Sequence, residues 1–207
     1  MEKIDYKKKL KILYNQPTKT ISYIDIPSMK FLQIDGRGDP NTSKDFSLAV
    51  EALFKLAYIL KFNIKKSDLE IDYKVMPLEG LWWSDNMEDF ATKKKQNWNW
   101  TLMIMQPDFI TTKLLNAAMA KAKAKQNSIA LEKIRFDKFD EGASMQIMHI
   151  GPFSEEGPTI RKLHEHIKNN HYSRVGKHHE IYLSDIRRAA PEKWRTILRQ
   201  PVKKEID

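Results

Sequence analysis

The sequence predicts an α+β fold made of two similar halves. The first support is a near-copy, because the pattern Trp-x5-Gln-Pro occurs at Trp100–Pro107 and again at Trp194–Pro201. Each copy is a short run with apolar residues that is closed by proline, which is typical of a strand that stops there. The second support is that the same order of elements leads to both copies: strand, strand, helix, strand, strand. Two similar halves that face each other tend to leave a cleft, so the duplication bears on function.

Hydrophobic periodicity predicts the elements of the first half, which spans about 21–107. Strands are expected at 21–26, 29–34, 71–83 and 97–106. Ser43 is a good N-cap for an amphipathic helix over about 44–61. The last two strands are joined by a charged loop at 84–96.

The same pattern starts again after a second helix, 111–127, which Thr111 can cap. The second half spans about 131–203. Its strands are expected at 132–139, 144–150, 180–183 and the second Trp-x5-Gln-Pro copy. We therefore expect a basic N-terminal arm at 1–20, followed by a single domain at 21–203 that consists of the two halves and the joining helix.

The composition predicts a soluble globular protein without cysteine chemistry. Hydrophobic residues make up 41% of the 207 residues and charged residues 30%, which suits one domain with a real core. The absence of cysteine excludes disulfides, thiolate catalysis and Cys-based zinc sites. No run approaches the roughly 18 apolar residues that a membrane span needs, and the first residues contain no apolar leader segment. We therefore expect a cytoplasmic protein with no membrane partner.

The net charge of +9 arises mainly at the two ends of the chain. Residues 1–30 and residues 186–207 each carry seven Lys or Arg and three Asp or Glu. The body of the chain is nearly balanced. This distribution favours a solvated basic surface, with salt-sensitive affinity for polyanions as the alternative.

Several common active-site patterns are missing. The sequence contains no P-loop, no complete dinucleotide fingerprint, no HExxH and no GxSxG. Five histidines cluster late in the chain: His164, His166, His171, His178 and His179. Their spacing directs neighbouring members to different faces of a helix or strand. We interpret them as surface histidines and expect neither a metal nor a cofactor.

Four tryptophans fall within 19 residues, on two strands that are expected to be neighbours: Trp82, Trp83, Trp98 and Trp100. Strand alternation places Trp98 and Trp100 on one face. These side chains either fill a core or form a flat aromatic wall, which is what a pocket for planar or cationic ligands needs.

Glu180 is the carboxylate that the strand pattern singles out. It lies in an apolar strand, and alternation places Glu180 and Tyr182 on the same face. A glutamate that faces the interior is costly unless it meets a cation, a donor or a ligand. The alternative is that Glu180 and Tyr182 face solvent, and periodicity alone does not decide between the two.

Several segments together resemble the GyrI-like small-molecule-binding domains. These segments are His179–Asp185, Pro191–Lys193, Arg199–Pro201, Pro77–Trp83 and the turn Ile150–Phe153. The resemblance covers roughly 20–203. It implies a tandem βαββ duplication with antiparallel sheets and a ligand cleft between the halves.

The resemblance also implies what the protein binds. It identifies the chain as similar to stand-alone members of the multidrug-sensor ligand-binding superfamily, which implies binding of hydrophobic, planar, often cationic molecules in xenobiotic or toxin protection. In this family a glutamate that matches Glu180 lies in an aromatic-lined cavity, so we expect Glu180 to supply its negative charge. The expected ligand-binding residues are Trp82, Trp98, Trp100, Phe153, Glu180 and Tyr182.

Two further alternatives follow from the resemblance. Some stand-alone relatives imply hydrolysis of cyclopropane-bearing DNA-alkylating compounds, for which Glu180 would be the general base and Tyr182 its hydrogen-bond partner or an acid. Whether the chain catalyses or only binds stays open. A macromolecular partner such as gyrase is the third alternative, and the basic chain ends motivate it.

The sensors carry a helix-turn-helix ahead of this domain, but only about 20 residues precede the first strand here. We therefore expect no specific DNA binding by this chain alone.

Overall fold

The computed structural model describes residues 1–85, 94–125 and 128–205. The strands are β1 Glu2–Ile4, β2 Ser22–Ile26, β3 Met29–Arg37, β4 Ile71–Tyr73, β5 Glu79–Trp83, β6 Asn99–Gln106, β7 Arg135–Phe139, β8 Gly142–Ile150, β9 Tyr172–Arg174, β10 His178–Tyr182 and β11 Arg195–Lys204. The helices are α1 Tyr6–Lys9, α2 Lys11–Tyr14, α3 Lys44–Lys65, α4 Thr112–Lys125, α5 Ile129–Glu132 and α6 Glu156–Asn169. In these described ranges, no helix has the length and apolarity to cross a membrane. Most of the predicted loop 84–96 and the end of the predicted helix 111–127 lie outside them.

The chain forms two compact units. Unit 1 comprises Met1–Lys9 and Met29–Phe139, and unit 2 comprises Leu10–Ser28 and Asp140–Asp207. Each unit contains an antiparallel sheet and the chain order strand, helix, strand, strand: β3, α3, β5, β6 in unit 1 and β8, α6, β10, β11 in unit 2. The predicted α+β fold with a duplicated βαββ half-domain is thereby confirmed, while the cleft stays a prediction.

The units differ from the predicted halves by one strand each. β2 pairs with β8 of unit 2, so that Ile26 lies opposite Gly142. In turn, β7 pairs with β3 of unit 1, so that Met29 lies opposite Phe139. Period-two alternation identifies a strand but not its partner, so the sequence pattern gave no sign of this exchange.

In unit 1, α3 packs on one face of the sheet. The Ser43 Oγ accepts a hydrogen bond from the Phe46 N–H at 3.2 Å, which confirms the predicted cap. The fully buried side chains between helix and sheet are Leu53, Leu56, Leu60 and Ile64 of α3, Leu32 and Ile34 of β3, and Leu102 and Ile104 of β6. Trp100 lies opposite Gly36, and its indole fills the space that a Cβ at position 36 would need.

In unit 2, α6 packs on the corresponding face of its sheet. The core consists of Leu163 and Ile167 of α6 together with Met145, Ile147, Leu198 and Val202 of the sheet. The Trp194 carbonyl accepts a hydrogen bond from the Gly151 N–H at 3.0 Å. Each copy of the repeated tryptophan therefore lies next to a glycine of the neighbouring strand or its end.

The other face of the unit 2 sheet carries a buried polar network. Arg199 is 0% exposed. Its guanidinium donates from Nη1 to Glu141 Oε2 at 3.0 Å, from Nε to Gln146 Oε1 at 3.0 Å and from Nη2 to the Leu13 carbonyl at 2.9 Å. His179 Nδ1 lies 2.8 Å from Glu141 Oε1 and donates to it, because an ionised carboxylate only accepts. This network attaches α2, part of the predicted N-terminal arm, to the sheet.

Glu141 is strongly stabilised in its ionised form. Burial alone would raise the pKa of its carboxyl group, but the charges of His179 and Arg199 and their hydrogen bonds outweigh burial. Together they lower the pKa of Glu141 from 4.5 to about 2.

Replacing Arg199 with Met removes the charge that Glu141 meets inside the fold. Loss of one partner of a buried ion pair costs about 3–5 kcal/mol, so we expect the free energy of unfolding to fall by that amount in urea titrations. Arg195→Met is the matched control, because Arg195 is exposed on the same strand; its effect should stay within about 0.5 kcal/mol. Equal losses in both variants would contradict a structural role for the network.

Acid should destabilise the protein through Glu141. Its folded-state pKa of about 2 lies below the ordinary 4.5, so its contribution to stability is fully present above pH 4.5 and is lost as the pH falls through about 2. We expect this group to account for about 3 kcal/mol of the free energy of unfolding across that window. Urea titrations at stepped pH should give a shallower acid dependence for Glu141→Gln, and an unchanged slope would show that other groups carry it.

Candidate functional site

One face of β10 gathers the polar residues of the candidate site. Glu180 lies opposite Leu198 of β11, and Leu198 packs against α6 in the core of unit 2. Because strand side chains alternate, His178, Glu180 and Tyr182 share this helix-covered face. His179 lies on the other face, in the network of Arg199.

Glu180 is held inward by its neighbours on β10. Its side chain is 14% exposed. The Tyr182 hydroxyl donates a hydrogen bond to Glu180 Oε2 at 2.7 Å, and His178 Nε2 lies 3.5 Å from Oε1. The two orientations that the sequence left open for Glu180 are thereby resolved in favour of the interior face.

Aromatic side chains adjoin this carboxylate. The Phe153 ring meets the Tyr182 ring edge-on at a centroid distance of 5.5 Å and lies 4.9 Å from the Trp194 ring. Trp194 is fixed by its Nε1–H, which donates to the Ala189 carbonyl at 2.8 Å. Phe153 is 38% exposed, so this aromatic surface reaches solvent. We call Glu180, Tyr182, Phe153 and Trp194 the Glu180 patch.

The turn that carries Phe153 is held by His149. His149 Nε2 lies 3.3 Å from the Pro152 carbonyl and Nδ1 lies 3.0 Å from Thr159 Oγ1 of α6. Because a carbonyl only accepts, Nε2 carries the hydrogen in the bond to Pro152. Gly151 precedes this turn at φ +135, which side-chain-bearing residues rarely adopt. These contacts fix the position of Phe153 in the patch.

The tryptophans of unit 1 lie around Phe46 of α3. The Phe46 ring stacks on Trp82 at 6.0 Å and meets Trp100 edge-on at 5.3 Å, while Trp98 meets Trp82 edge-on at 5.9 Å. Trp82 is 5% exposed and Trp100 1% exposed, whereas Trp98 is half-buried. Trp82 and Trp100 therefore pack in the core of unit 1, and a ligand contact at these three positions stays a prediction.

Several buried polar residues were missed by the sequence reasoning. Glu79 is 0% exposed in β5 and Glu156 is 5% exposed at the start of α6. Glu79 follows the apolar-strand pattern that singled out Glu180, so the same signal was available. The interpretation of the histidine cluster as surface residues is wrong for His179, which is 0% exposed, and for His178, whose side chain is 15% exposed. Within the described residues, no group of three or more His, Asp or Glu side chains could hold a metal ion.

The basic chain ends, which motivated a macromolecular partner, contain both exposed and internal charges. Lys7, Lys8 and Lys9 are exposed, but Arg199 is fully buried in the polar network. The count of terminal charges therefore overstates the basic surface. A partner such as gyrase stays a prediction.

Comparisons with known proteins agree with the fold. One solved structure, of an uncharacterized conserved protein from Listeria innocua, is 39% identical over 97% of this chain and 100% of that chain, with a TM-score of 0.89. A hydrolase from Listeria innocua is 38% identical over 97% of this chain and 100% of that chain, with a TM-score of 0.84. The C-terminal domain of EcmrR is 15% identical over 90% of this chain and 98% of that chain, with a TM-score of 0.57, which is a likeness of fold. No match was found among curated proteins.

The family model of the GyrI-like small molecule binding domain matches residues 19–203. This range contains the strand-helix-strand-strand elements of both units, apart from the last residue of β11, and the whole Glu180 patch. The chain belongs to the GyrI-like small molecule binding domain family.

Proposed function

We propose that the protein binds hydrophobic, planar, often cationic small molecules at the Glu180 patch, in protection against xenobiotics or toxins. The observation that carries this proposal is a largely buried carboxylate with one oxygen bonded by Tyr182 at 2.7 Å, next to aromatic rings that reach solvent. Membership of a small-molecule-binding family agrees with it.

The chemistry of the patch suits a flat cation. A planar ring that stacks on Phe153 or Trp194 buries apolar area, and its positive charge gains from both the aromatic faces and the carboxylate. Because the Glu180 side chain is only 14% exposed, solvent and salt screen its charge less than they screen a surface glutamate. Trp82, Trp98 and Trp100 belong to the proposal as further ligand contacts, and Trp98 is the least buried of them.

Ethidium is a suitable first probe because it is planar and permanently cationic. We expect Glu180→Gln to weaken ethidium binding at least about tenfold in isothermal titration calorimetry, since an ion pair in a desolvated site is lost. Glu192→Gln is the matched control, because Glu192 is exposed and lies two residues from Trp194. The proposal would be contradicted if ethidium does not bind, or if it binds Glu180→Gln and wild type with equal affinity.

Tryptophan fluorescence identifies the rings that contact the probe. If ethidium lies on the Glu180 patch, Trp194→Phe should lose most of the quenching that wild type shows. Trp98→Phe tests the predicted contact in unit 1 in the same way. Quenching that survives in Trp194→Phe and disappears in Trp98→Phe would move the ligand to the cluster around Phe46.

A second candidate function is hydrolysis of cyclopropane-bearing DNA-alkylating compounds. Two observations favour it: the similarity to a solved structure described as a hydrolase, at 38% identity over 97% of this chain, and the short hydrogen bond between Tyr182 and Glu180. Such a pair joins a base to a group that can pass on a proton.

In the proposed reaction Glu180 acts as the general base. Glu180 takes a proton from water as the water oxygen bonds to a carbon of the strained ring. The ring C–C bond breaks, and its electron pair moves onto the electron-withdrawing group conjugated with the ring. That group takes a proton from Tyr182, which Glu180 reprotonates through their hydrogen bond. The net change is the addition of one water molecule, and the aromatic rings hold the planar substrate in place.

The hydrolase proposal is tested by incubating a cyclopropane-bearing alkylator with the protein and following the water adduct by mass spectrometry. We expect Glu180→Gln to lower the rate at least about 100-fold, because general base catalysis contributes that much. Tyr182→Phe should also lower the rate at least about 100-fold, because it removes the proton donor of this reaction. If wild type proceeds at the rate of buffer while ethidium binds, the protein binds without this catalysis.

A further inference from the structure

His178 has an unusual position for a histidine. Both ring nitrogens are buried and neither has a hydrogen-bond partner among the described residues. The side chain is 15% exposed, so water reaches it poorly. Buried polar atoms in native proteins are almost always bonded, and an exception needs an explanation.

The nearest charged group to His178 is Glu180. His178 Nε2 lies 3.5 Å from Glu180 Oε1, just beyond a good hydrogen bond, while Tyr182 is bonded to the other oxygen. A protonated imidazole would form an ion pair with Oε1 after a small movement. A neutral imidazole forms no ion pair with Glu180, so the negative charge of Glu180 can pair with a cationic ligand.

Two further ionisable groups from neighbouring elements are linked in a chain that reaches His178. His164 of α6 interacts electrostatically with it, and Arg174 of β9 donates from Nη1 to His164 Nδ1 at 2.9 Å. Burial, then the charges of Arg174 and His178, lower the pKa of His164 from 6.5 to about 4. His164 therefore stays neutral above about pH 5 and adds no charge there.

We propose that His178 is a specificity-determining residue that competes with a cationic ligand for Glu180. When the His178 imidazole is neutral, a cationic ligand can bind Glu180. When the imidazole is protonated, it pairs with Glu180 Oε1 and prevents the cation from binding there. This inference rests on the proposed ligand binding at Glu180. Because coupling between two binding events is reciprocal, a bound cation also displaces a proton from His178. Neutral planar ligands, which do not need the carboxylate charge, should bind equally well at all pH values.

The test is ethidium binding to the full chain between pH 8 and pH 5.5, by calorimetry in buffers of different ionisation enthalpy. We expect affinity to fall at least about fivefold toward pH 5.5, with proton release on binding. His178→Asn should bind ethidium with little pH dependence. His166→Asn is the matched control, because His166 is exposed on α6 and should leave the dependence intact.

The outcomes separate the two proposals. Absence of ethidium binding at every pH overturns the proposed function. Binding with a flat pH profile, or a profile that His178→Asn retains, overturns the role of His178 alone. If His178→Asn does not fold, histidine NMR on wild type decides instead: saturating ethidium should lower the titration midpoint of the His178 ring, and an unchanged midpoint overturns the inference.

Discussion

The candidate site depends on the buried ion pair between Arg199 and Glu141. These side chains are 0% and 1% exposed, and His179 binds the second oxygen of Glu141. Because His179 is fixed on this face, strand alternation directs His178, Glu180 and Tyr182 to the face that α6 covers. A slip of β10 by one residue would place Glu180 against Arg199 and dismantle both arrangements. The network that stabilises unit 2 therefore also determines which side chains form the site.

Local patterns in the sequence predicted most elements and the Ser43 cap, because each depends on a few neighbouring residues, whereas the burial of Trp100 was left open. Strand partners could not be predicted in this way, since β2 meets β8 more than a hundred residues away. The aromatic contacts of Trp194 could not be predicted from the sequence pattern either. Trp194 meets Phe153, which also meets Tyr182, although Phe153 lies well before both of them in the chain.

The two units share an arrangement of aromatic side chains but differ in the residues beside it. In both, a phenylalanine at the start of the main helix meets the repeated tryptophan: Phe46 with Trp100 at 5.3 Å, and Phe153 with Trp194 at 4.9 Å. In unit 1 Trp82 stacks on Phe46 and is 5% exposed, so most of the Trp82 surface is used in packing. In unit 2 the corresponding surface holds a carboxylate, and its phenylalanine reaches solvent. The two units therefore share an aromatic arrangement, and in unit 2 β10 places the Glu180 carboxylate beside it.

The contrast between two carboxylates in unit 2 argues most strongly that Glu180 has a function. Glu141 has both oxygens bonded, to Arg199 and to His179, and its low pKa reflects that saturation. The Glu180 side chain is 14% exposed, and among the described residues only Tyr182 donates a hydrogen bond to it. A carboxylate that is largely withdrawn from water and has few donors is costly to fold. Such a cost is ordinarily met where a ligand completes the missing interactions, and for Glu180 a planar cation between Oε1 and the ring of Phe153 would do so.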